Sequence, residues 1–170
     1  MRDINPEVEC IALPLRADEA RLRDLVAQAD VVLDCSDNFA TRYAVNRVCL
    51  ELRKPLVSGA AIQFDGQVSV FDFRSPDVSE QTDAPCYNCL FPEDSLAAEL
   101  RCATTGVFAP LVGIIGSLQA AETLKLLMGI ERGLSGKLLT VNALDMHIMR
   151  SSLSKDPACY ACGGSLVEIS

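Results

Sequence analysis

Ala29-Asp30-Val31-Val32-Leu33-Asp34-Cys35-Ser36-Asp37-Asn38 is the stretch that decides the fold. Its near-continuous apolar run is the kind buried in a parallel sheet. It ends in Ser36-Asp37-Asn38, side chains able to cap the helix that follows. Upstream, Leu22, Leu25, Val26 and Ala29 recur at the spacing of an amphipathic helix. Before them, Val8, Cys10 and Ala12 alternate with their neighbours and predict a short buried strand. Downstream, Val45, Val48, Cys49 and Leu52 share one helical face, Lys54-Pro55 stops that helix, and the chain returns as a strand through Ala60. The order β-α-β-α-β predicts an α/β fold with a Rossmann-like doubly wound sheet.

The pattern then changes. Gln67 to Phe73 reads as a strand after an Asp65-Gly66 turn, which predicts an added antiparallel hairpin. Arg74 to Ala84 is polar and loop-like. Pro110 to Met128 predicts the longest helix, closed by Gly129, and Leu138–Leu144 and His147–Leu153 predict two closing strands. The length of 170 residues, with no internal repeat or low-complexity segment, predicts one domain over residues 1–170.

Composition narrows the class. Of the 170 residues, 49% are hydrophobic and 22% charged, which excludes disordered and fibrous chains. The net charge of −8 disfavours a phosphate backbone as partner, so nucleic acid is not expected. The first residues hold no apolar secretory core, and Val107 to Ala121 is too short and too polar to span a bilayer. The expectation is a cytoplasmic protein without membrane contact, whose eight cysteines stay reduced.

Four of those cysteines form two C-x-x-C knuckles, Cys86/Cys89 and Cys159/Cys162. Four thiolates are the tetrahedral set of a closed structural Zn²⁺ site. A redox pair or four unrelated thiols would give the same spacing. Cys10, Cys35 and Cys49 fall on element interiors and read as small buried hydrophobes. Cys102 differs: it follows Arg101 in a polar stretch, where a neighbouring cation favours the nucleophilic thiolate, although a lone loop cysteine is usually inert. Asp37 stands at the carboxyl edge of a strand, where open α/β sheets bind ligands. Its carboxylate could hold Mg²⁺ against a nucleotide's phosphates, could cap the next helix, or could do both. His147, the only histidine, reads as structural.

Together these stretches resemble the MoeB/ThiF/HesA family of ubiquitin-activating-enzyme-like adenylyltransferases. The resemblance rests on Val31 to Asn38, on Pro55-Leu56-Val57-Ser58-Gly59-Ala60-Ala61, on Phe64-Asp65-Gly66-Gln67 and on Cys86-Tyr87-Asn88-Cys89. Arg101-Cys102 and Gly113-Ile114-Ile115-Gly116-Ser117-Leu118-Gln119-Ala120 complete it. It implies Mg-ATP as substrate and a small ubiquitin-like sulfur carrier with a Gly-Gly tail as partner, in the molybdopterin or thiamine pathway. The carrier's terminal carboxylate attacks the α-phosphate, giving an acyl-adenylate and pyrophosphate. By resemblance, Asp37 contacts magnesium and ATP, Asn38 is its nucleotide-side neighbour, and Cys86, Cys89, Cys159 and Cys162 bind zinc. Cys102 matches a cysteine that in some members accepts the activated carrier or a sulfur species, which implies a sulfur-donor protein as a further partner. A homodimer is also implied.

The family's Gly-rich phosphate loop has no counterpart: the first glycine here is Gly59. The expectation is therefore the C-terminal portion of the domain, binding ATP poorly on its own. A zinc-stabilised module that docks the carrier or dimerises without catalysis is the alternative. A dehydrogenase fragment fits less well, because the same fingerprint is missing.

Overall fold

The computed structural model describes residues 3–74, 84–93, 105–130 and 133–163. The elements run α1 (Glu19–Ala27), β1 (Val32–Asp34), α2 (Phe39–Glu51), β2 (Leu56–Ile62), β3 (Asp65–Phe71), α3 (Tyr87–Leu90), α4 (Ala109–Leu127), β4 (Lys137–Asn142) and β5 (His147–Ser152). The strands form one mixed sheet in chain order. β1 and β2 pair parallel across the α2 crossover, with Val32 opposite Leu56. The other three pairings are antiparallel. The α/β expectation holds as a mixed sheet with one parallel pair among the described strands, and the antiparallel addition is the larger part of the sheet.

Strand alternation builds two cores. Leu56 and Phe71 face α1 and α2, where Val26, Val48 and Cys49 are buried with them. Val57, Val68 and Val70 face the other way, onto Leu111 and Ile115 of α4. Asp18 caps α1 by accepting the Arg21 N–H at 2.9 Å. α4 opens with a proline in its first turn and ends where Gly129 takes φ 69°, as its sequence predicts. No helix among the described residues is long and apolar enough to cross a membrane.

Three local expectations are corrected. Residues 8–12 form no strand: the segment lies outside the described sheet, and Ile11 is 74% exposed. The hairpin turn is Gln63-Phe64, because Ile62 pairs with Asp65, and Gln63 carries the positive φ of 49°. Gly66 lies inside β3, where a Cβ would sit 2.7 Å from Ile115, so the glycine admits the helix to the sheet. Cys35 is exposed, since β1 ends one residue earlier, while Cys49 is buried as expected. Burial, then the charge of Asp34, pushes the Cys49 thiol up to about 12, so it stays protonated and inert.

Gly59 and Gln119 join two of the sequence stretches quoted above. Gln119 is buried in the middle of α4 and donates to the carbonyls of Asp34 (3.0 Å) and Val57 (3.3 Å). A Cβ on residue 59 would lie 2.3 Å from the Gln119 side chain. That side chain could swing aside only by abandoning both buried carbonyls. Gly59→Ala is therefore expected to cost about 1–3 kcal/mol, read as a thermal midpoint lowered by roughly 2–12 °C. An unchanged midpoint would show that Gln119 relocates freely.

Candidate functional site

The corner between β1 and α2 is set by a buried ion pair. Arg42, on the second turn of α2, turns its guanidinium back under the corner and donates to Asp34 Oδ2 (3.2 Å), Ser58 Oγ (3.2 Å), the Gly59 carbonyl (3.0 Å) and the Ser36 carbonyl. The other Asp34 oxygen accepts the Ser36 N–H at 3.0 Å and its hydroxyl at 2.6 Å. The cluster is closed and leaves no lone buried charge.

Above it, the two candidate ligand residues divide their tasks. Asn38 is the N-cap of α2, its Oδ1 accepting the Thr41 N–H at 2.9 Å. Capping does not use Asp37, which is exposed and accepts one hydrogen bond, from Asn38 Nδ2 at 3.3 Å. It is one of the residues lining a groove of about 500 Å³. Phe39, Tyr87 of α3 and the following Phe91 line it with aromatic rings, and Ala60, Ala61 and Gly66 also contribute to the lining. Asn142 and His147, a cross-strand pair on β4 and β5, line the groove with Asp65, to which Asn142 donates at 2.7 Å. The sheet register brings His147, which its sequence suggests is structural, into the lining of the groove.

The four knuckle cysteines converge at a separate place. Their sulfurs all lie within 4.8 Å of one another. Cys86 Sγ is 3.9 Å from Cys89 Sγ and 3.7 Å from Cys159 Sγ, and Cys89 Sγ is 3.3 Å from Cys162 Sγ. Disulfides would need about 2.05 Å. Four thiolates around one tetrahedral metal, with metal–sulfur bonds of about 2.3 Å, place their sulfurs about 3.8 Å apart, so the quartet can hold a metal ion. The N–H groups of Cys86 and Asp156 point at Cys89 Sγ, at 3.5 and 3.4 Å. Burial, then the neighbouring charge of Cys89, pushes the Cys86 thiol up to about 12. Burial also raises Cys162, with the hydrogen bond to Cys89 next. Without a cation such thiols resist ionising together; a bound metal would reverse that. Cys102 lies outside the described residues.

Comparison with known proteins follows the same lines. The profile of the ThiF family matches residues 1–161. The chain is 40% identical over 163 residues to the molybdopterin-synthase adenylyltransferase of Escherichia coli K12, covering 94% of this chain and 61% of that one. It is 42% identical over 164 residues to the sulfur carrier protein adenylyltransferase of Thermus thermophilus, covering 96% and 59%. The chain thus spans about three fifths of the length of the curated relatives it matches. A crystal structure of E. coli MccB with ATP superposes with a TM-score of 0.72 at 18% identity, over 95% of this chain and 48% of that one, a likeness of fold.

Proposed function

We propose, from the premise that this chain belongs to the ThiF family, that it forms the metal-contacting and tail-binding side of an adenylyltransferase site. The substrates would be Mg-ATP and the C-terminal Gly-Gly carboxylate of a small ubiquitin-like sulfur carrier. The observation that carries this reading is the exposed Asp37 carboxylate in the lining of the groove, relieved of capping by Asn38. Mg²⁺ typically takes one or two carboxylates and fills its remaining positions with phosphate oxygens and water. Asp37 would supply the carboxylate, and Asn38 would orient it through its amide. An extended tail ending in two glycines would lie in this groove, along the β2–β3 stretch that holds Ala60, Ala61 and Gly66.

The chemistry asked of these residues is positioning and charge neutralisation. The carrier carboxylate must be held in line with the α-phosphate while negative charge builds on the leaving pyrophosphate. The phosphate-cradling loop would come from polypeptide beyond these 170 residues. The alternative is a non-catalytic, zinc-stabilised module that docks the carrier or dimerises. Exchange of labelled pyrophosphate into ATP separates the two, as argued in the Discussion. A cytoplasmic setting, a homodimer, and Cys102 as acceptor of activated carrier or sulfur from a donor protein belong to the same reading. The apolar outer face of α4, with Val112, Leu124 and Leu127 exposed, is a surface a second copy could cover.

The quartet would hold Zn²⁺ through Cys86, Cys89, Cys159 and Cys162. With four protein sulfurs the coordination is closed, so the metal would supply structure rather than reactivity. Protein purified under reducing conditions is expected to carry about one zinc per chain by elemental analysis, and Cys162→Ser to lose most of it. Well under one zinc in a folded sample would overturn the assignment.

A further inference from the structure

Quartet and groove share one short element. α3 is a single turn, Tyr87–Leu90, and one turn of helix does not hold itself, because nucleation costs more than the first bonds return. It is fastened at two points. Cys86 precedes it and Cys89 lies within it, and both belong to the quartet. On the opposite side stands Asn46 of α2, 0% exposed, which accepts the Tyr87 N–H at 3.0 Å and donates to Asn88 Oδ1 at 2.9 Å. Between the fastenings the Tyr87 ring meets Tyr43, Phe71 and Phe91, with centroids 5.7, 6.1 and 5.0 Å away. Tyr87 and Phe91 are also part of the groove wall. The other two quartet cysteines, Cys159 and Cys162, lie after β5, so the quartet ties that wall to the far end of the described chain.

We infer that the quartet and the groove are coupled sites, with α3 as the shared element and Asn46 as its positioning residue. Metal in the quartet orders α3, and α3 sets the aromatic wall against which a peptide lies. Reciprocity then requires that a peptide in the groove holds the metal more tightly. The inference rests on the proposed reading of the quartet as a metal site and the groove as a tail site. It goes beyond that reading by making metal occupancy a control on groove binding.

The chain contains no Trp and three Tyr, of which Tyr43 and Tyr87 pack together, so tyrosine emission of a Tyr160→Phe variant reports on the shared wall. Zinc titrated into the metal-free, reduced protein is expected to change that emission and to protect the amides of 87–91 from hydrogen exchange, while β2 to β4 stay protected throughout. A synthetic peptide ending in Gly-Gly is then expected to slow zinc release to a chelator about fivefold or more. Asn46→Ala should still bind zinc but lose most of that slowing; Asn88→Ala, which removes only one of the two bonds, is the milder variant if the first does not fold. Zinc binding without a change at 87–91, or peptide binding that leaves zinc release unaltered, overturns the coupling. A folded chain that binds no zinc overturns the reading beneath it, and the coupling with it.

Discussion

Arg42→Ala is expected to lower the thermal midpoint by roughly 6–20 °C, the largest loss of stability from any single side chain considered. The pair it breaks is buried on both sides: the Arg42 side chain is 7% exposed and that of Asp34 3%. Removing the cation strands a carboxylate whose remaining donors, the Ser36 N–H and hydroxyl, are neutral. Breaking one partner of such a pair costs about 3–5 kcal/mol, and each kcal/mol moves the midpoint of a chain this size by roughly 2–4 °C. The carbonyls of Ser36 and Gly59 lose their donor in the same step. Arg42→Lys keeps the charge but cannot fan out to four acceptors, so it should recover only part of the loss. A shift of 1–2 °C for Arg42→Ala would mean that water reaches the corner and the pair is not buried in solution.

Asp37→Ala is expected to do the reverse: leave stability nearly untouched and remove function. Asn38, not Asp37, caps α2, and among the described residues the Asp37 carboxylate takes part in one long hydrogen bond, so stability should move by no more than about 0.5 kcal/mol. In an assembly that includes a phosphate loop, the same substitution is expected to slow adenylylation about 100-fold or more, the usual scale for losing one electrostatic contact to the reacting phosphates. Asp37→Asn should be nearly as damaging, since it keeps the shape and loses the charge. The two variants therefore separate scaffold from site: Arg42 fails by melting, Asp37 by inactivity in a folded protein.

The sequence revealed most where local chemistry and pairing agree. Helix α2 was legible from its apolar face and its Lys54-Pro55 stop, and Gly129 marked the end of α4. The quartet was legible because C-x-x-C is a local pattern, although its closure depends on two knuckles meeting across the fold. What local pattern could not supply was partnership. The alternation at residues 8–12 reads as a strand but lies outside the sheet, and Asp65-Gly66 reads as a turn although Gly66 is spaced for Ile115. Asp37 and Asn38 are equally plausible caps in sequence; backbone geometry chose Asn38. Asn46 carried no signal, because its place comes from a bond to an amide distant in sequence.

The central claim is that the Asp37 groove is an adenylylation site for a carrier tail. It is tested most directly by exchange of labelled pyrophosphate into ATP, measured with the chain alone and with the chain joined to or mixed with a family phosphate-loop portion. The complemented protein is expected to show exchange that requires a carrier ending in Gly-Gly and that disappears in folded Asp37→Ala. Exchange that persists in Asp37→Ala, or a complemented, folded protein that binds the carrier and exchanges nothing, would contradict the account.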